Sequence, residues 1–135
     1  MIETAVCHEI VQGQSSTATS RLNPGSAPRT QGRNVRPGTH VDLVGGFRPD
    51  MQEADTALMA QARVFVDDRK SAAVAGDILI ALAAGALAED GIEGDLFDIC
   101  QRGVGRRERD EITVYRNARG AHLDLVTSQY VMSRL

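Results

Sequence analysis

The sharpest alternation of apolar and polar positions lies at His40-Val41-Asp42-Leu43-Val44, a strand pattern that runs into Gly45-Gly46, a pair suited to a tight turn. Asp50, followed three residues later by Glu53, has the spacing of a capping box and predicts a helix opening there, with Met51, Ala54, Leu58, Met59 and Ala62 along one face. A second strand follows at Arg63-Val64-Phe65-Val66. The next helix is predicted from about Ser71 to Ala88, burying a narrow stripe of Ile78, Leu79, Leu82, Ala83 and Ala86. Glu89, Asp90 and Glu93 read as an acidic turn, Leu96 to Cys100 as a short segment, Arg102 to Glu111 as a charged loop, and Ile112-Thr113-Val114-Tyr115 as a strand. A final helix starting near His122 is expected to bury Leu123, Val126 and Tyr130.

Ahead of these elements the pattern is weaker. A helical or extended piece around Ala5 to Val11 precedes a run of small residues, Ser15 to Ser20. The stretch from Arg21 to Pro37 holds three of the four prolines and reads as a loop. Parallel strands need crossover connections, and helices usually supply them. Strands alternating with helices at these intervals therefore predict an α/β fold with a parallel sheet.

Composition narrows the picture only a little. A chain of 135 residues makes one domain or a piece of one, and a net charge of -3 with both signs intermixed argues against a nucleic-acid partner. Cys7 and Cys100 lie far apart, outside metal-ligand spacing, so both are read as reduced thiols in a cytoplasmic protein. The most apolar run, Ile78 to Leu87, is well short of the roughly 20 residues that cross a bilayer, so no membrane partner is expected.

Four stretches then carry a resemblance. GTHVDLVGGFRPDMQEAD (38–55), ARVFVDDRKSA (62–72), AGDILIALAAG (75–85) and DEITVYRNARGAHLDLVTSQYV (110–131) together resemble the ornithine cyclodeaminase/mu-crystallin family, in the same order along the chain. The resemblance runs from about Ser15 to the end and leaves 1–14 undefined. It implies that 15–135 form the carboxyl-terminal part of a Rossmann-like, doubly wound NAD(P)-binding domain that ends in a helix. It further implies NAD or NADP as cofactor, a small amino or imino acid as substrate, and an oxidoreductase or cyclodeaminase chemistry. The individual substrate and the choice between NAD and NADP stay open.

The dinucleotide fingerprint of such domains needs glycines that admit the pyrophosphate at a helix amino-terminus. Gly103-Val104-Gly105 lacks the third small residue and follows a polar segment, so it reads as a solvated loop. The resemblance places the fingerprint and the substrate domain upstream of residue 1. The expectation is a partial sheet, inactive alone, whose open edge invites self-association or pairing with another polypeptide. A non-catalytic assembly piece and a truncated gene product are the competing readings.

Site residues follow from the same resemblance. Thr17-Ala18-Thr19 matches a small-residue turn beside the cofactor, with an ordinary hydroxyl-rich turn as the plainer alternative. Val44 and Gly45, at the end of a strand, would let a nicotinamide approach the backbone, and Asn117 matches the turn flanking it, although many relatives carry lysine-serine at Arg116 and Asn117. Phe47 stands where cyclodeaminases of the family carry an aspartate, and phenylalanine exchanges no proton. That departure shifts weight to the imine-reducing branch, whose RPD pattern matches Arg48-Pro49-Asp50. Arg48 is the candidate catalytic cation, beside a substrate carboxylate, unless it simply pairs with Asp50. His122 reads as structural, His8 and His40 have no partner by spacing, and no metal site is expected.

Overall fold

Five short strands pair side by side in the computed structural model, which describes residues 15–17, 28–46, 48–118 and 121–135. They are β1 (Ser15–Thr17), β2 (His40–Leu43), β3 (Ala62–Val66), β4 (Ile92–Gly94) and β5 (Ile112–Arg116). Their order is β1-β2-β5-β3-β4 and every pairing is parallel. The helices are α1 (Thr56–Gln61), α2 (Arg69–Ala72), α3 (Gly76–Ala83), α4 (Leu96–Arg102) and α5 (Ala121–Met132). The parallel α/β architecture matches the expectation from alternating strands and helices. Residues 1–14 lie outside the described part, so the piece expected at Ala5 to Val11 does too.

Register sorts the strand residues onto two faces. Val41 lies opposite Val114, Val64 opposite Val114, and Leu43 opposite Arg116, so these side chains share one face. That face forms the core with Leu58 and Met59 of α1, Ile78 and Ala81 of α3, and Ala72. The other face carries His40, Asp42, Arg63, Phe65, Thr113 and Tyr115, a far more polar set. Arg63 covers the Phe65 ring at 5.6 Å, which shields the aromatic while its guanidinium reaches Glu93 at 2.7 Å.

Several boundaries differ from the sequence expectation. The first helix opens at Thr56, because Asp55 and not Asp50 accepts the first-turn amide, from Leu58 N at 2.8 Å. Asp55 also takes Gly32 N at 2.8 Å, which pins the preceding loop onto the helix start. Glu53 has better donors elsewhere, described below, so the capping-box spacing misleads. Met51 and Ala54 are buried as expected, but ahead of the helix.

The helix predicted from Ser71 to Ala88 is two helices. Asp68 caps α2 through Ser71 N, the chain turns at Ala73 to Ala75, and α3 starts afresh at Gly76. The restart requires glycine at position 76, because a Cβ there would lie 1.9 Å from Met51 O and 2.4 Å from Arg48 O. The buried face is accordingly Ala75, Ile78 and Ala81, while Ala83 is exposed and Leu79, Leu82 and Ala86 are half-buried. β4 lies where an acidic turn was expected, since its three residues carry too little pattern to read. Leu96–Arg102 is a capped helix, with Asp95 and Asp98 forming a reciprocal capping box.

The last helix reverses its expectation. α5 has no buried residue, Val126 is 61% and Tyr130 55% exposed, and Leu123 is only partly covered. Its apolar positions fall on two opposite sides, Leu123, Val126 and Tyr130 against Leu125 and Met132, so neither set packs onto the sheet. Among the described residues no helix is long and apolar enough to cross a membrane.

Candidate functional site at the ends of β2 and β5

Ligands of open parallel sheets bind outside the carboxyl ends of the strands. Here β1, β2 and β5 are neighbours, with Thr17 opposite Asp42 and Leu43 opposite Arg116. Val44 and Gly45 therefore leave the sheet beside Asn117, whose amide donates to Leu43 O at 2.9 Å. All three residues are half-buried and form one rim. Thr17 ends β1 next to them, while Ala18, Thr19 and Phe47 lie outside the described residues.

Directly beneath this rim lies a buried charge cluster. Arg116, the last residue of β5, is fully buried and donates through Nη1 to Leu43 O at 2.9 Å and to Asn117 O at 2.7 Å. Its Nε lies 3.2 Å from Asp77 Oδ2 and its Nη1 3.9 Å from Glu53 Oε2. Glu53, also buried, accepts from Gly45 N and from Gly46 N, the latter at 3.2 Å. Asp77, in the first turn of α3, accepts through Oδ1 from Glu53 N at 2.7 Å and Ala54 N at 3.1 Å. One guanidinium thus sits between two carboxylates that each hold a separate stretch of backbone.

The glycine of this turn has a packing reason. A Cβ on Gly46 would fall 2.6 Å from Asp77 Oδ2 and 3.2 Å from Met51 O, so the space a side chain would need is already taken by the charge cluster. The adjoining strand end is held in a similar way. Buried Asp67 accepts through Oδ1 from Ala118 N at 3.0 Å and Asp68 N at 2.9 Å, tying the end of β3 to the chain leaving β5.

Burial shapes the electrostatics more than pairing does. Burial pushes the Asp77 carboxyl above the ordinary aspartate range, against the opposing pull of the Ala54 amide and Arg116. Asp42, on the other face of β2, is also raised, mainly by burial. Its Oδ1 has no hydrogen-bond partner among the described residues.

Arg48 lies in the loop beyond Gly46. Its side chain is 50% exposed and forms a forked pair with Asp50, at 2.9 and 2.8 Å. At the opposite end of the sheet His40 Nδ1 lies 2.8 Å from Thr113 Oγ1, and Arg106 donates to Gly38 O at 2.6 Å. Burial lowers the His40 pKa, so the neutral ring that bridges two strands is favoured. His122 stacks obliquely near Phe97, with ring centres 5.8 Å apart, a contact between α4 and α5.

Three of these residues were invisible as a group in the sequence. Glu53 mimics a capping-box partner, Arg116 sits at the end of an apolar strand, and Asp77 is one acid in the apolar run AGDILIALAAG. The last was the available signal, because a lone charge inside a buried helix face needs a partner.

Comparison with known proteins agrees with the fold and with the resemblance. The model of the ornithine cyclodeaminase/mu-crystallin family matches residues 5–135. A Delta(1)-pyrroline-2-carboxylate reductase of Paracoccus denitrificans (strain Pd 1222) is 48% identical over 106 residues, covering 77% of this chain and 34% of that protein. Among solved structures, the iminosuccinate reductase of Paracoccus denitrificans in complex with NAD+ superposes with a TM-score of 0.70 at 28% identity, covering 83% of this chain and 34% of the other. The Thermococcus litoralis Delta(1)-pyrroline-2-carboxylate reductase in complex with NADH and L-proline gives 0.66 at 28% identity, over 76% and 31%. The chain spans about a third of the length of the curated relatives it matches.

Proposed function

Because the chain belongs to the ornithine cyclodeaminase/mu-crystallin family, we propose that residues 15–135 supply the nicotinamide-facing half of an NAD(P)-dependent reductase of small imino acids. The observation that carries this reading is the shared rim at the carboxyl ends of β2 and β5, where Val44, Gly45 and Asn117 lie side by side above a buried charge cluster. The residues present fit one end of a dinucleotide only. A half-exposed rim of backbone suits a flat ring, whereas the sequence contains no Gly-x-Gly-x-x-Gly pattern to cradle a pyrophosphate. In this reading other polypeptide binds the phosphates.

A bound reduced nicotinamide supplies the hydride for an imine carbon. The chain's own part is to seat the ring against Val44, Gly45 and Asn117, with Thr17 at the end of β1 next to them. Arg48 would exchange Asp50 for a substrate carboxylate, which a planar guanidinium binds in the same forked way. Phe47 favours imine reduction over cyclodeamination, since it offers no acid or base. A cytoplasmic setting, where reduced nicotinamides are regenerated, suits this activity.

The test follows NADH absorbance with Delta(1)-pyrroline-2-carboxylate, for the chain alone and mixed with the part of the Paracoccus denitrificans relative that it does not match. No consumption alone and consumption on mixing are expected. Turnover by these residues alone would overturn the half-site reading, and co-eluting pieces with no turnover would overturn the nicotinamide assignment. A second reading, a non-catalytic assembly piece, is favoured by β1, which ends the sheet with no outer neighbour among the described residues. Light scattering separates the two, since self-association through that edge gives a dimer that the complementing piece does not dissolve.

A further inference from the structure

We propose that Arg116 is a positioning residue: with Glu53 and Asp77 it couples the Gly45-Gly46 turn at the end of β2 to the Asn117-Ala118 turn at the end of β5, so that both walls of the rim keep one relative position. The proposal rests on the rim being the nicotinamide side of the site. It assigns Arg116, Glu53 and Asp77 a role that neither the rim residues nor the family likeness gives them.

Connectivity within the cluster carries the argument. Leu43 O accepts both the Asn117 amide and Arg116 Nη1, so the last carbonyl of β2 is shared between the β5 turn and the guanidinium. The same Nη1 reaches Asn117 O, closing a loop around the β5 turn. From the guanidinium the path continues to Glu53, whose carboxylate gathers the Gly45 and Gly46 amides. It also continues to Asp77, which holds Glu53 N and Ala54 N and so fixes where Glu53 stands. The bonds to the two carboxylates and from Arg116 to the two carbonyls are charge-assisted, Arg116 meets Asp77 and Glu53 as ion pairs, and all three charged side chains are buried, so removing one member leaves the others without compensation.

The arrangement is also one-sided. Arg116 lies against both buried carboxylates, and these two carboxylates reach four different backbone amides. Without Arg116 the β2 turn and the β5 turn would be joined only through the backbone pairing of β2 with β5, which ends at the Asn117 amide on Leu43 O. Arg116 Nε and Nη2 and Asp77 Oδ2 have no hydrogen-bond partner among the described residues, so the Arg116–Asp77 link is an ion pair and the guanidinium is not saturated.

Amide hydrogen exchange by NMR on the chain tests the coupling. In Glu53→Gln, exchange at Gly45 and Gly46 is expected to quicken about tenfold or more, the loss expected for charge-assisted contacts, and exchange at Asn117 to quicken with it. Arg116→Met gives the same three-site response, and Arg116→Lys, which keeps the charge but not the fork, restores part of it. The Val64 amide, in the interior of β3, stays near wild type. Unchanged exchange at Asn117 in Glu53→Gln overturns the proposal, because the turns are then independent. A uniform rise at every amide in all three variants overturns it as well, since the cluster would then merely support the fold. Reduced nicotinamide mononucleotide, titrated into the same wild-type sample, tests the rim separately: no shift at Gly45 or Asn117 removes the cofactor reading while the exchange result stands.

Discussion

Two regions of the molecule invert the usual association of regular structure with firm packing. The described residues between β2 and α1 form neither helix nor strand, yet Gly46, Met51, Glu53 and Ala54 are buried there. α5 is a regular helix of 12 residues and buries none. The irregular stretch is held by polar partners, because its backbone groups find carboxylates where a helix would have used its own carbonyls. The helix satisfies its backbone internally, and its half-buried positions are confined to the first turn, at His122 and Leu123. A helix this short is marginal in water unless an apolar face is covered. Regularity thus reports how a backbone bonds to itself, and burial reports what the rest of the chain demands of it.

The contrast is broken most forcefully at Asp77. Asp77→Ala strands Arg116 without its nearest carboxylate and leaves two buried amides unpaired, and a loss of about 3–5 kcal/mol is expected in urea unfolding. Gly76→Ala drives a methyl into Met51 O and Arg48 O, so the restart of α3 must shift, at a cost of about 1–3 kcal/mol by the same measurement.

Acid–base linkage sharpens the comparison with a smaller effect. The folded-state pKa of Asp42 is raised, so the folded chain binds more protons than the unfolded one between the ordinary aspartate value, about 4, and the raised value. Its contribution is therefore fully present below the ordinary value and is lost as pH rises through the folded one. Asp42→Asn should be the more stable protein at neutral pH, with its advantage shrinking as the solution is made acidic. An advantage that grows toward low pH would contradict the assigned burial effect. The smallest response belongs to the exposed helix: Val126→Ser and Tyr130→Ser should each move the unfolding midpoint by less than the equivalent of about 0.5 kcal/mol. A larger loss would mean that α5 is covered in solution.

Strands were legible in the sequence where β-branched residues lay close together among other apolar ones, as at Val41 to Val44, Val64 to Val66 and Ile112 to Val114. β4 was not, because Ile92-Glu93-Gly94 following Gly91 gives no period to detect. Helix starts failed for a specific reason. The acids at 50, 53, 55, 68 and 77 have similar neighbours in sequence, but only Asp55 and Asp68 turn toward a helix amide, while Glu53 and Asp77 are claimed by a long-range cluster. Periodicity located Val126 and Tyr130 on one side of α5, yet it could not say what lies opposite that side. The rim itself, Val44, Gly45 and Asn117, was reached through resemblance. The cluster below it joins positions 53, 77 and 116, whose pairing only the folded chain reveals.

The strand order carries a consequence for biosynthesis. β5 is the last strand made, yet it lies between β2 and β3, and His40 meets Thr113 across 73 residues of chain. Until residue 116 has left the ribosome, β1-β2 and β3-β4 are two separate two-stranded ribbons, each too small to persist in water. Assembly of these five strands therefore waits for β5 and is dominated by distant contacts, a topology that slows folding.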